Sequence, residues 1–256
     1  DLGVFGAGLA TATGAVISLA VMCSHFFSRK CTLHLVPVQK LFKKLGEIAV
    51  TGFSSFFVDV AMGILTVLFN RQIMKYLDSD ALAVYATVIN ISTFVQCCTY
   101  SVGQAAQPIL STNYGANNAA RIRQTLHLAL GTSMVFAAFW TGLSELFPQL
   151  YIHIFMRPSA EILAIAPAII RRYSVSFVLL PVNIFSTYYF QSILRPKDSF
   201  IVSIARGLLV SGLLIFALPA LFAPEAIWWA MPLTELVTSV YAAYAMRKSL
   251  TGLCAN

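Results

Sequence analysis

The chain has 256 residues, 58% of them hydrophobic and only 11% charged, with a mean hydropathy of +0.78. A soluble globule carries about 25% charged and about 45–50% apolar residues, so this chain cannot cover itself with polar surface and its solvent must be largely lipid. The same figures exclude a disordered chain, a disulfide-rich secreted domain and a nucleic-acid binder, despite a net charge of +7.

Runs of about 20 apolar residues predict membrane-crossing helices. They fall at Leu2–Phe27, Glu47–Asn70, Ala81–Leu110, Leu126–Phe147, Ile162–Leu194, Phe200–Phe222 and Ala226–Met246. The fold class expected is an all-α polytopic bundle of seven spans. The first run lacks an initiator Met and a basic stretch before it, which argues against a signal peptide. It opens as though something preceded it. Within it Gly6, Ala10 and Gly14 recur every four residues, a small-residue packing face. Residues 28–46 form the one long connection, with the amphipathic Leu41-Phe42-Lys43-Lys44-Leu45 at its end, and read as a linker lying near the headgroups.

Charge in the connections sets the orientation. Arg29, Lys30, Lys40, Lys43 and Lys44 fill the first, Arg121 and Arg123 the third, Arg195 and Lys197 the fifth, and Arg247-Lys248 the tail. The intervening connections are neutral or acidic. By the positive-inside rule the odd connections and the C-terminus are cytoplasmic, so the basic balance records topology, not an anion site.

An ionisable side chain in the hydrocarbon costs at least about 2.5–3.5 kcal/mol and needs a partner or a water-filled cavity. Asp59 lies roughly 17 Å from either end of its span. It reads either as a carboxylate that exchanges a proton or cation during transport, or as a structural acid tied to hydroxyls or a basic neighbour. Glu235 is as central in the last span, beside Pro232 and Thr234. It reads as functional, as repair of a broken turn, or as the partner of Arg206 or of Arg171 and Arg172. Arg206 has the length to snorkel toward the cytoplasmic face. Arg171 and Arg172 point about 100° apart and cannot share one environment.

The third span ends in Gly103-Gln104-Ala105-Ala106-Gln107-Pro108-Ile109-Leu110-Ser111-Thr112-Asn113-Tyr114-Gly115-Ala116. Pro108 removes a backbone donor, Gly103 permits close helix approach, Gln104 and Gln107 are amides at membrane depth, and Gly115 suits the left-handed turn that stops a helix. On composition this is a packed, kinked helix end rather than a binding site. The five cysteines make no CxxC, and the four histidines fall in separate segments. There is no Walker-type loop and no GxSxG. An enzyme gains no support.

The run from Gly103 to Ala116, with Gln107-Pro108-Ile109 and Asn113-Tyr114-Gly115-Ala116, resembles the end of the eighth helix of MATE (multidrug and toxic compound extrusion) transporters. Asn70 with Ala81-Leu82-Ala83-Val84-Tyr85 is similar to the seventh-to-eighth connection, and Tyr189-Phe190-Gln191 with Lys197-Asp198 and Arg206 to the tenth-to-eleventh. Ile227-Trp228, Pro232 and Glu235 resemble the last helix, and Gly6-Ala7-Gly8-Leu9-Ala10-Thr11 the sixth. The pattern is most similar to the MepA-like bacterial branch.

The resemblance implies two six-helix lobes facing each other across a substrate cleft. Residues 1–27 would then be the last helix of the N-terminal lobe, 28–46 the cytoplasmic inter-lobe linker, 47–248 the six-helix C-terminal lobe and 249–256 a tail. It implies a secondary exporter of organic cations, driven by H+ or Na+, with no other cofactor, in the bacterial inner membrane. Its partners would be the bilayer, small organic cations and the N-terminal lobe of the same polypeptide, with no nucleic acid. Asp59 sits where sodium-coupled members carry a seventh-helix acid, while the tenth helix, which is acidic in those members, has Asn183 and Ile184 instead. A cation pump calls for an acid in an aromatic-lined cavity, and Asp59, Phe56, Phe57, Tyr100, Asn183 and Tyr188 are the candidates. Two rival readings share part of the pattern. A lipid-linked saccharide flippase of the wider superfamily would want a basic cleft, hinted at by Arg171 and Arg172. A seven-helix receptor shares the topology but not the motifs at the ends of the third and seventh spans.

Overall fold

The structure, a computed structural model, describes residues 3–27 and 40–254, apart from some side chains in the first helix and between residues 47 and 59. The Asp59 side chain and linker residues 28–39 lie outside the described residues. The chain divides into two compact units, residues 1–47 and 48–256.

The first unit holds α1 (Gly3–Ser24), closed by a 3-10 turn over His25–Phe27. Its Leu9, Val16, Ile17 and Leu19 are all at least half exposed. A helix apolar on every side suits lipid or a helical neighbour, not water. α2 (Leu41–Tyr76) begins in this unit and continues into the second.

The second unit continues with α3 (Ser79–Gly115), α4 (Ala119–Leu146), the short α5 (Pro148–Phe155), α6 (Ala160–Ser174), α7 (Ser176–Ser192), α8 (Pro196–Ile204), α9 (Val210–Leu221) and α10 (Ala230–Cys254). Five stretches among the described residues are long and apolar enough to cross a membrane: Gly8–Phe27, Ser79–Gly115, Ala119–Leu146, Ala160–Ser192 and Pro196–Leu221. They correspond to five of the seven expected spans. The expected last span occupies a 3-10 turn over Pro224–Trp229 and then α10, where Thr234, Glu235, Thr238 and Ser239 dilute the apolar run. That dilution is physically tolerable because all four are buried. The remaining span lies within α2.

Two of the spans are built from two helices each. α6 and α7 meet at Val175, six residues before Pro181, whose ring removes the donor that Phe177 would otherwise bond. α8 and α9 are joined by a π-helical turn over Ala205–Leu209, in which Val210 N–H reaches back five residues to the Ala205 carbonyl. Such a turn holds one residue more than an α turn and marks functional sites more often than chance.

Helix ends follow side-chain chemistry. Asp78 caps α3 by accepting from Ala81 N–H at 2.8 Å, and Ser159 caps α6 through Ile162 N–H at 3.2 Å. α3 runs unbroken through Pro108. The left-handed residue that stops it is Asn117, with φ 52°, not Gly115, which remains in the helix. Asn118 N–H reaches Asn113 O at 2.9 Å and Asn117 N–H reaches Tyr114 O at 3.1 Å, the paired bonds of a Schellman motif. Asn tolerates that conformation better than other non-glycine residues. Asn118 then caps α4, accepting from Arg121 N–H at 3.1 Å. Leu194, with φ 55°, makes the same motif between α7 and α8, through Arg195 N–H to Phe190 O at 2.8 Å.

The core of the second unit is divided. One apolar cluster joins Phe69 and Ile73 of α2, Val84 and Tyr85 of α3, Tyr173 of α6 and Trp228. Phe69 and Tyr85 stack within it at 4.9 Å. The other joins Leu110 of α3, Ile122 of α4, Phe185 and Tyr189 of α7, Val202 of α8 and Ala242 of α10. Within α3, α8–α9 and α10, the residues separating the two clusters include Gln96, Thr99, Ser203, Arg206, Ser211, Thr234, Glu235 and Thr238, all buried. A polar belt therefore crosses the bundle between two apolar layers. Outside it, Leu128, Val135 and Phe139 of α4 stand at least 60% exposed, a surface fit for lipid. Because lipid is as apolar as these side chains, the bundle is held by close packing and by hydrogen bonds in the belt.

Candidate functional site

Glu235 is at the centre of the belt, fully buried. Its Oε1 accepts from Arg206 Nε at 2.7 Å and its Oε2 accepts from Asn183 Nδ2 at 2.5 Å. The same Asn183 amide donates to the Glu235 backbone carbonyl at 3.0 Å, and Thr238 Oγ1 also approaches that carbonyl, at 3.3 Å. Three spans are thereby tied together: α7 by Asn183, the π turn by Arg206, and α10 by Glu235. The π turn sets the direction of Arg206, and Gly207 beside it allows Ala61 of α2 to approach so closely that a Cβ would stand 3.0 Å from Ala61 Cβ.

Arg206 therefore does not snorkel to the cytoplasmic face as expected. Its side chain is 10% exposed, because an unpaired Glu235 in an apolar interior would cost more than burying the guanidinium against it.

Two cavities meet at Met62 and Arg206. One, of about 40 Å³, is lined by Tyr100, Asn183, Thr187 and Ser203. The other, of about 60 Å³, is lined by Glu235, Tyr85, Ser92, Gln96 and Tyr173. One water needs roughly 10–15 Å³ and two to four polar partners, so each has room for a few waters and neither for a drug-sized molecule. Asn183 Oδ1 is buried without a hydrogen-bond partner among the described residues.

The other sequence candidates are spread around this centre. Tyr100 and Tyr188 meet edge to face at 6.3 Å, and Tyr188 lies over Gly103. Phe57 and Phe53 of α2 pack on Phe200 of α8 at 5.6 and 6.1 Å, while Phe56 is exposed. Gln104 and Pro108 are exposed and Gln107 is half-buried. Asn113 donates to Ile109 O at 2.8 Å, Tyr114 packs against the second apolar cluster, and Gly115 is exposed. Sequence reasoning missed Ser92, Gln96 and Thr99, although their i, i+4, i+7 spacing marks one helical face.

Arg171 and Arg172 diverge as their geometry requires. Arg171 Nε donates to Glu145 O at 2.9 Å, and Glu145 in turn accepts from Ser174 Oγ at 3.0 Å. Arg172 pairs with Glu225 at 2.7 Å. Arg172 is thus neutralised by an acid, whereas Arg171 keeps its charge and lines a cavity of about 500 Å³ with Phe147, Gln149 and Pro167.

Residues 55–216 match the MatE family model, and no curated protein sequence matches significantly. The fold is similar to the crystal structure of MATE in the straight conformation, with a TM-score of 0.86 and 18% identity over 100% of this chain and 58% of that one. It is similar to a MOP superfamily transporter from Pyrococcus furiosus, at a TM-score of 0.86 and 17% identity over 99% and 57%. An outward-facing multidrug resistance MATE family transporter gives a TM-score of 0.83 and 18% identity over 94% and 55%. The chain thus spans a little under three-fifths of the length of these structures. A seven-helix receptor is not what this fold is. With its multi-pass helical bundle and a family match over more than half its length, the chain belongs to the MatE family of membrane transporters.

Proposed function

We propose that this chain is part of a secondary active exporter that moves organic cations out of the cytoplasm in exchange for protons or sodium ions. Residues 47–248 form its C-terminal lobe, residues 1–27 the last helix of an N-terminal lobe of the same polypeptide, and 28–46 the linker between them. The branch is the MepA-like bacterial one, the membrane the bacterial inner membrane, and the C-terminus cytoplasmic. The observation that carries this reading is the match to the MatE family over residues 55–216. The alternation of basic and acidic connections supports the orientation. Asp59, mid-span in α2, is the coupling carboxylate, and Phe56, Phe57, Tyr100 and Tyr188 contribute to the cargo surface, while Asn183, buried against Glu235, supports it from behind. Alternating access requires two bundles moving against each other, so the activity belongs to the whole polypeptide.

The test reconstitutes the intact polypeptide in liposomes and follows a fluorescent aromatic cation under an imposed proton or sodium gradient. Gradient-driven movement is expected, and Asp59→Asn should sharply reduce it at unchanged expression. Absence of movement under either gradient would end the exporter reading, and normal export by Asp59→Asn would move the coupling group elsewhere.

A further inference from the structure

Both oxygens of the buried Glu235 carboxylate are occupied by side chains of this chain: Arg206 Nε on Oε1 and Asn183 Nδ2 on Oε2. A mobile cation would need those oxygens, since hard cations are held by several oxygen ligands at once. The surroundings are otherwise supplied for one. Asn183 Oδ1 is a buried acceptor without a partner among the described residues, Thr187 and Ser203 line the same cavity, and Ser92 and Gln96 line the cavity on the Glu235 side. The guanidinium of Arg206 borders both cavities.

We propose that Arg206 is a resident cation, tethered in a site that would otherwise bind an inorganic cation such as Na+ at Glu235, and that it keeps this site closed to the coupling ion. The π turn is the device that makes this possible, because it aims a residue of the α8–α9 span at α10. Arg206 is a specificity-determining residue: with it in place, Glu235 takes no part in ion coupling. The inference rests on the geometry of the belt and not on the identity of the cargo, and its test reads ion binding rather than transport.

The test measures the thermal unfolding midpoint of the intact, detergent-purified protein in Na+ and in choline at constant ionic strength. Wild type and Glu235→Gln should respond to Na+ identically, because whatever response exists arises elsewhere. Arg206→Gln should gain a new Na+-dependent rise of about 3–6 °C once Na+ is tenfold above its dissociation constant. Adding Glu235→Gln to that variant should abolish the gain. A wild-type Na+ response lost in Glu235→Gln would overturn the proposal, as would an Arg206→Gln protein that folds and gains nothing. Should Arg206→Gln fail to fold, the Arg206→Gln/Glu235→Gln double variant, which leaves neither charge of the pair stranded, decides: a Na+ response equal to wild type supports the resident cation, and a smaller one overturns it.

Discussion

Two of the bundle's arginine ion pairs differ in depth. Arg206 and Glu235 meet with side chains 10% and 0% exposed, whereas Arg172 and Glu225 meet at the same 2.7 Å with side chains 36% and 65% exposed. Contact distance is therefore no guide to what either pair contributes. In the belt each charge is the other's replacement for water, so losing either partner alone is costly. At the surface, water and salt screen the pair and solvate whichever charge is left. Arg171, adjacent to Arg172, shows a third use: it donates to the Glu145 carbonyl near the end of α4, satisfying one of the acceptors a helix terminus leaves open.

The largest effect expected follows from that contrast. Arg206→Ala strands a carboxylate in the belt and should destabilise the protein by about 3–5 kcal/mol. In thermal unfolding of the purified protein that is a fall of about 6–20 °C. Arg206→Met/Glu235→Leu removes both charges and should recover more than half of the loss, since an apolar pair often replaces a buried ion pair at little cost. A double variant no more stable than Arg206→Ala would show that the belt needs its charges for packing, and the contrast with the surface pair would fail.

A second, intermediate effect tests close packing in the belt without touching charge. A Cβ at Gly103 would stand 2.5 Å from Tyr188 Cδ2 and 2.9 Å from Cγ, so Gly103→Ala forces the ring aside and disturbs its edge-to-face contact with Tyr100. Overpacking of this kind costs about 1–3 kcal/mol. Combining it with Tyr188→Ala should cost less than the sum of the two single changes. Strict additivity in unfolding midpoints would mean that the ring does not rest on Gly103.

How much of this was legible in the sequence differs by level. The spans were, because lipid imposes runs of about 20 apolar residues, and so was the presence of buried charge, because Arg206 and Glu235 stand out in apolar surroundings. Their pairing was only one of several options. Arg206 lies close enough to the start of its span to snorkel, and no residue pattern announces the π turn that turns it inward. The end of α3 was legible in kind but not in position. Gly115 and Asn117 both suit a left-handed turn, and the helix continues through Gly115 to use Asn117, which places Asn118 where it caps α4. Gly103 signalled a close approach, but Tyr188 as its neighbour depends on how α7 crosses α3, which only packing decides. The last span was legible as a span only in part, because Thr234, Glu235, Thr238 and Ser239 interrupt the apolar run of α10.

The smallest effect is the sharpest check on the comparison. Arg172→Gln deletes the exposed ion pair with Glu225 while leaving a side chain of similar length. With both partners more than a third exposed, the loss should stay within about 1 kcal/mol, or about 2–4 °C at most. It should also shrink as salt is raised from low to physiological ionic strength, as the Debye length falls to about 8 Å. Arg206→Ala should show no such salt relief in choline, because its stranded carboxylate is out of reach of the bulk. If Arg172→Gln instead cost as much as Arg206→Ala and ignored salt, the pair at the helix ends would have to be buried by something the bundle meets there. Depth within this chain alone would then no longer explain why one arginine is indispensable and the other is not.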